Sequence, residues 1–84
     1  MNTLTAKSRA KKVWFDERSL WILLKDGRKI SIPLGFFPRL KQAKRLDLEK
    51  FTLSGDGTGI HWESLDEDIS VPGLLNGIGD LTKK

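Results

Sequence analysis

In three runs between Val13 and Ile32 apolar side chains recur at every second position, a spacing that a strand buries on one face and a helix does not. Val13 and Phe15 alternate with Trp14 and Asp16. Leu20, Ile22 and Leu24 alternate with Trp21 and Leu23, and Ile30 and Ile32 with Lys29 and Ser31. Turn signals divide the run at Asp16–Ser19 and at Asp26–Gly27, the latter read as a two-residue turn with positive φ at both positions. The pattern predicts a three-stranded antiparallel meander that Pro33 ends, because proline has no N–H to donate. Trp21 and Leu23 make the second strand apolar on both faces, so it is expected to be central and covered on both sides.

Residues 34–50 are helical in character. Pro38 suits a first helical turn. Phe36, Leu40 and Ala43 form one stripe, with Arg39, Lys41, Gln42 and Lys44 facing out. Leu46 and Leu48 depart from that stripe, which predicts a kink or two short helices near Lys44–Asp47. Phe51–Ser54 and Ile60–Trp62 then form a hairpin around Gly55-Asp56-Gly57-Thr58-Gly59. That glycine-rich run lacks the following Lys-Ser/Thr of a phosphate loop. Asp68–Val71 is strand-like. Pro72–Asn76 reads as one helical turn, with Ser70 as N-cap and Gly77 at the stop.

The fold class is therefore α+β: a small antiparallel sheet, made of the N-terminal three-stranded meander plus a C-terminal hairpin, with one or two short helices and a short C-terminal helical turn. Eighty-four residues make one domain, read as a flexible basic arm over 1–12, a folded body over 13–77 and a frayed tail over 78–84. A chain of this length buries only about 60–65% of its unfolded surface. Three tryptophans and 38% hydrophobic residues suffice for a compact core without staples. The absence of cysteine excludes disulfides and thiolate metal sites and fits a reducing cytoplasmic setting. No apolar run has membrane-spanning length, and MNTLTAKSRAKK has no secretory h-region behind it.

The formal charge of +4 lies in the arm. Lys7, Arg9, Lys11 and Lys12 stand there without an acid, whereas the remaining residues hold 11 bases and 11 acids. With the Lys41/Lys44/Arg45 face, these residues are the candidates for nucleic-acid binding; a solubilising tail is the blander reading.

Catalytic signals are sparse. His61 is the sole histidine, so no His–His metal pair exists, and it is expected as a structural, hydrogen-bonded residue at a sheet edge. Neither a metal nor a cofactor is expected. Ser54, Ser64 and Ser70 lack a nucleophile context. Asp66, Glu67 and Asp68 have three readings: a carboxylate pair, a surface for a basic partner, or side chains that orient the turn into the last helix. Helix-end N–H groups would offset Asp68 and Arg39 a second acid, leaving Glu67 for a partner. Trp62 is a candidate aromatic anchor beside them.

The combination of DGR in a hairpin, IPL, PRL-x-x-A, SGDGTGIHW and LDEDIS-x-x-GLL resembles a family of small bacterial proteins known as a domain of unknown function (number 2442). The resemblance spans about Val13 to Leu75. Its motif residues here are Pro38, Arg39, Leu40, Gly59, His61, Trp62, Leu65, Asp66, Glu67, Asp68, Ile69 and Ser70. Phe37 departs from the family's usual Trp, and Glu63 from its frequent Pro. The resemblance implies a small α+β fold and no established catalytic role. Some relatives carry an added helix-turn-helix domain, for which 84 residues leave no room. Many relatives are encoded beside another small protein, as in toxin–antitoxin modules.

The expected function is a non-enzymatic, protein-binding module of the bacterial cytoplasm, the antitoxin-like half of a two-gene unit. Its contact residues would be Arg39, Trp62, Asp66, Glu67 and Asp68, and its partner a small co-encoded protein. Nucleic-acid binding through Lys7, Arg9, Lys11, Lys12, Lys41, Lys44 and Arg45 is the alternative, a hydrolase using the His61–Asp cluster is a weak third, and self-association stays open.

Overall fold

Six strands form two three-stranded antiparallel sheets in the computed structural model, which describes residues 9–75. The first sheet holds β1 (Ala10–Phe15), β2 (Ser19–Leu24) and β3 (Lys29–Pro33), with β2 central. The second holds β4 (Phe51–Ser54), β5 (Gly59–Trp62) and β6 (Glu67–Ser70), with β5 central. The C-terminal hairpin thus supplies two of the three strands of a separate sheet, completed when the Glu63–Asp66 turn returns the chain as β6.

Alternation is obeyed in β2, where Leu20, Ile22 and Leu24 are buried and Trp21 and Leu23 are not. The expected cover on both faces is absent among the described residues: only the face bearing Leu20, Ile22 and Leu24 meets the core. Two tight turns set the registers. Asp16 Oδ1 accepts the backbone N–H groups of Arg18 and Ser19, which closes the β1–β2 turn. The β2–β3 connection is a three-residue loop, Lys25-Asp26-Gly27. Of these, only Gly27 has positive φ, at 98°, and its N–H bonds to the Leu24 carbonyl. This corrects the two-residue turn: Asp26 remains at negative φ and glycine alone takes the left-handed position.

The arm is shorter than expected. Pairing with β2 begins at Ala10, which is fully buried, and a bulge sets Lys11 and Lys12 against Leu23. Lys11 and Lys12 therefore belong to the first sheet and not to a tail. Lys7, Gly77 and the tail over 78–84 lie outside the described residues.

The helical segment breaks into a 3₁₀ turn (Leu34–Phe36), α1 (Pro38–Lys41) and α2 (Arg45–Leu48). Phe37 is extended (φ −129°, ψ 92°) and Pro38 follows it, so the helical phase restarts there. Leu34, Leu40 and Leu48 consequently point inward, and Phe36, expected on the buried stripe, is 49% exposed. Ser70 Oγ accepts the Gly73 N–H, capping the helix over 71–75 as expected.

One core unites both sheets. Trp62, Ile60, Ile69 and Val71 from the second sheet and its exit bury with Leu20, Ile22, Leu24 and Ile32 from the first. Trp62 has no exposed surface, and its indole N–H donates to the Leu48 carbonyl at 2.8 Å. Phe15 and Phe51 close around it with ring centroids 6.1–6.3 Å apart. The expected role of Trp62 as an exposed anchor is overturned: it shares parity with Ile60 and must point inward with it.

The sheets meet at the glycine-rich turn. Gly55, Asp56 and Gly57 all have positive φ (59°, 59° and 96°). Gly57 is buried directly against β1, where an added Cβ would stand 2.5 Å from the Ala10 carbonyl oxygen. Gly57→Ala therefore has to push the sheets apart. Trp62→Ala should cost about 3–5 kcal/mol, a large share of the roughly 5–15 kcal/mol that holds a domain folded. Urea titrations should show both variants losing most or all of their cooperative transition, whereas Leu46→Ala, at a 72% exposed position, keeps it.

Candidate functional site

The acidic segment is assembled by the β5–β6 hairpin. His61 pairs with Asp68 across the strands, and Nδ1 lies 2.6 Å from Oδ1. The strand is central, so His61 stands within the sheet and not at the edge expected for it. Asp68 is committed to this rung and not to the helix end, where Ser70 supplies the cap. Asp66 takes a left-handed conformation (φ 53°), which closes the turn with its N–H on the Glu63 carbonyl. Arg39, presented by α1, donates to the Asp66 carbonyl oxygen and lies 3.7 Å from the Asp66 carboxylate and 3.8 Å from that of Glu67.

Sequence reasoning thus joined Arg39 correctly to the acids but chose the wrong free carboxylate. Glu67 lies in line with Trp62 on the inner side of the hairpin, and its side chain is 22% exposed. The outward acids are Asp66, 96% exposed, and Asp68, 77% exposed. Trp62 is in the core and contributes no contact surface. Among the described residues no three His, Asp or Glu side chains converge as a metal site would require.

The basic candidates are dispersed. Arg9 and Lys25 both bind Asp56, at 2.7 and 3.0 Å, so part of the supposed arm is tied to the joint between the sheets. Arg45 reaches the carbonyl oxygens of Phe15 and Asp16. Lys41 lines a groove with Asp16 and Glu17, whose charge opposes a phosphate. Lys44 is exposed. Lys11 and Lys12 are exposed on β1.

A surface that sequence reasoning left unresolved lies on the open face of the first sheet. Strand register sets Lys12, Leu23 and Lys29 in one row and Trp14, Trp21 and Ser31 in the next. Trp14 and Trp21 stack nearly parallel, 8° apart with centroids at 6.0 Å. Both indoles and Leu23 are half-buried, and none belongs to the core or to the side chains packed against it. Lys12, Trp14, Leu23 and Lys29 bound a shallow groove of 380 Å³. The Trp21 indole N–H donates to Asp16 Oδ2 at 2.8 Å, which fixes the pair from the β1–β2 turn. The signal was present in the alternation: Trp14, Trp21 and Leu23 have the parity opposite to the buried residues of their strands.

With this geometry in place, the chain can be compared with known proteins. Residues 10–80 match the family described as protein of unknown function (DUF2442). The chain belongs to that family. A crystal structure of a protein of unknown function from Rhodospirillum rubrum is 34% identical, with a TM-score of 0.72 over 82% of this chain and 86% of that one. A solution structure of an uncharacterised Chromobacterium violaceum protein is 25% identical, with a TM-score of 0.69 over 82% of this chain and 65% of that one. No curated protein matches. Membership of the DUF2442 family agrees with the resemblance carried by the motif residues, and it assigns no activity to them.

Two carboxylates of the scaffold are held below their ordinary range. For Asp16 the main cause is the Trp21 indole N–H, followed by the backbone N–H groups of Arg18 and Ser19. For Asp56 it is the Lys25 ammonium, followed by Arg9. A depressed folded-state pKa stabilises fully above the unfolded carboxylate value, about 3.9, and that stabilisation disappears as pH falls through the lower folded value. The Tm gap between wild type and Asp56→Asn should therefore stay constant from neutral pH down to about 4 and narrow below it. A gap that widens in acid would contradict the assignment.

Proposed function

We propose that this chain is a non-enzymatic, protein-binding module, and that its contact surface is the open face of the first sheet. The stacked Trp14–Trp21 pair carries the reading. Two large half-buried rings set outward, against none of the core, cost solubility without adding to its packing, and outward-facing aromatic groups of this kind mark partner surfaces. Asp16 holds Trp21 in place before any partner arrives, so little side-chain freedom is lost on binding. His61 and Asp68, the pair with most chemical potential, form a cross-strand rung that accounts for both side chains structurally.

The partner that fits the family resemblance is a small co-encoded protein, in a two-gene, antitoxin-like arrangement within the bacterial cytoplasm. Nucleic-acid binding is less well supported, because Arg9 and Arg45 have partners within the chain and Lys41 borders Asp16 and Glu17.

The test is co-expression of the full chain, tagged, with the co-encoded protein, followed by calorimetry on the purified pair. Wild type should bind, and Trp14→Ala should weaken binding about tenfold or more. The same substitution removes a cross-strand pair worth about 1 kcal/mol or less, so thermal melts should show the fold retained. Binding that is indifferent to Trp14→Ala would refute the surface.

A further inference from the structure

We infer that the open face of the first sheet receives an acidic, apolar peptide segment, with carboxylates seated on Lys12 and Lys29 and apolar side chains on Leu23 and the Trp14–Trp21 pair. The inference rests on the protein-binding reading and adds the chemistry of the partner.

Strand register sets the spacing of the two lysines. Lys12 and Lys29 flank Leu23 on the neighbouring strands, so their backbones are roughly 10 Å apart, two strand spacings. Both side chains are exposed, and among the described residues neither has an ion-pair partner. Of the other cations near this end of the sheet, Lys25 and Arg9 are engaged with Asp56 and Arg28 with Asp26, while Lys11 shares the bulge with Lys12 and is likewise exposed. The pair flanking Leu23 is thus left to meet an external anion, over an apolar floor.

The opposite end of the face has the reverse character. Asp16 is held ionised beside Trp21 by the indole N–H and two backbone N–H groups, and Glu17 stands next to it. A ligand lying across both rows must therefore be anionic at the lysine row and apolar, without negative charge, at the tryptophan row. A peptide can vary charge from residue to residue in this way. A nucleic-acid strand carries one charge per nucleotide and would bring phosphates against Asp16 and Glu17. The indoles also stack on each other, which uses one π-face of each and leaves less for base stacking. A second copy of the same face offers the two lysines only Glu17, beside an Asp16 whose oxygens are already bonded: one open carboxylate for two cations. Charge complementarity thus favours an acidic, apolar partner segment, and rim charges of this type set selectivity and association rate while the aromatic pair supplies affinity.

The experiment is selection of a random-peptide library on the immobilised full chain at low salt. Enriched peptides are then titrated by tryptophan fluorescence against wild type, Trp14→Ala and the Lys12→Glu/Lys29→Glu double variant, with short oligothymidylate as a separate probe. The expected result is enrichment of sequences that combine Asp or Glu with Leu, Ile or Phe. Their Kd should rise about tenfold or more in either variant, and added salt should weaken them. The charge reversal is confined to exposed side chains, so it tests the proposal even if Trp14→Ala lowers stability. Enrichment of neutral or basic peptides that still depend on Trp14 would overturn the inference and leave the protein-binding surface standing. Enrichment independent of Trp14, no enrichment, or tighter binding of oligothymidylate than of any peptide would overturn both.

Discussion

The contact between Gly57 and the Ala10 backbone is the constraint on which the rest of the structure depends. Two three-stranded sheets of four- to six-residue strands share one core here, each burying its apolar face against the other. Sharing requires close approach, and here it is achieved by backbone. Three consecutive left-handed residues fold the β4–β5 turn tightly enough to place a bare Cα against the start of β1. Asp56, at the crest of that turn, draws in Arg9 and Lys25 from the first sheet. Exposed pairs like these add little energy, but they fix which parts of the two sheets face each other. Trp62 can then fill the space between the sheets with its indole N–H satisfied by α2.

That arrangement determines which surface remains. The first sheet gives one face to the shared core and has no second layer among the described residues. The second strand was read as covered on both sides because Trp21 and Leu23 are apolar. The inference from apolar to buried fails there because no second layer lies over them among the described residues. What covers them instead is partial: one indole lies on the other, and Asp16 holds the second.

Much of this was legible in the sequence, and the failures have definite causes. Alternation placed Leu20, Ile22, Leu24 and Ile32 correctly because their strands are regular. It also contained the answer for Trp62, which shares parity with Ile60, but the adjacent histidine and acids suggested a surface site and outweighed parity. The His61–Asp68 pair depends on register. A four-residue turn centred between Ser64 and Leu65 sets positions 61 and 68 opposite each other, and the sequence gives only weak warning that Asp66 will adopt a left-handed conformation to close it. The boundary of the arm was misplaced because Ala10 and two lysines resemble a tail in composition. Pairing with β2, together with the close approach of Gly57 to Ala10 from 47 positions away, makes them a strand.

The same accounting separates motif from binding surface. The residues that carry the family resemblance are largely occupied within the fold: Trp62 and Leu40 in the core, Arg39 with Asp66 and Glu67, His61 with Asp68, Ser70 as a helix cap. So dense a motif specifies how the second sheet closes and how α1 is latched to it. A side chain already bonded inside the chain must break that bond to serve a partner, and the cost weakens any contact it makes. Trp14, Leu23, Lys12 and Lys29 carry no such cost. They lie outside the motif, on the open face of the first sheet, and the shared core holds their spacing rigid through β2. The family signature therefore explains the shape of the domain, and the recognition of another protein that we propose is left to the face opposite its core.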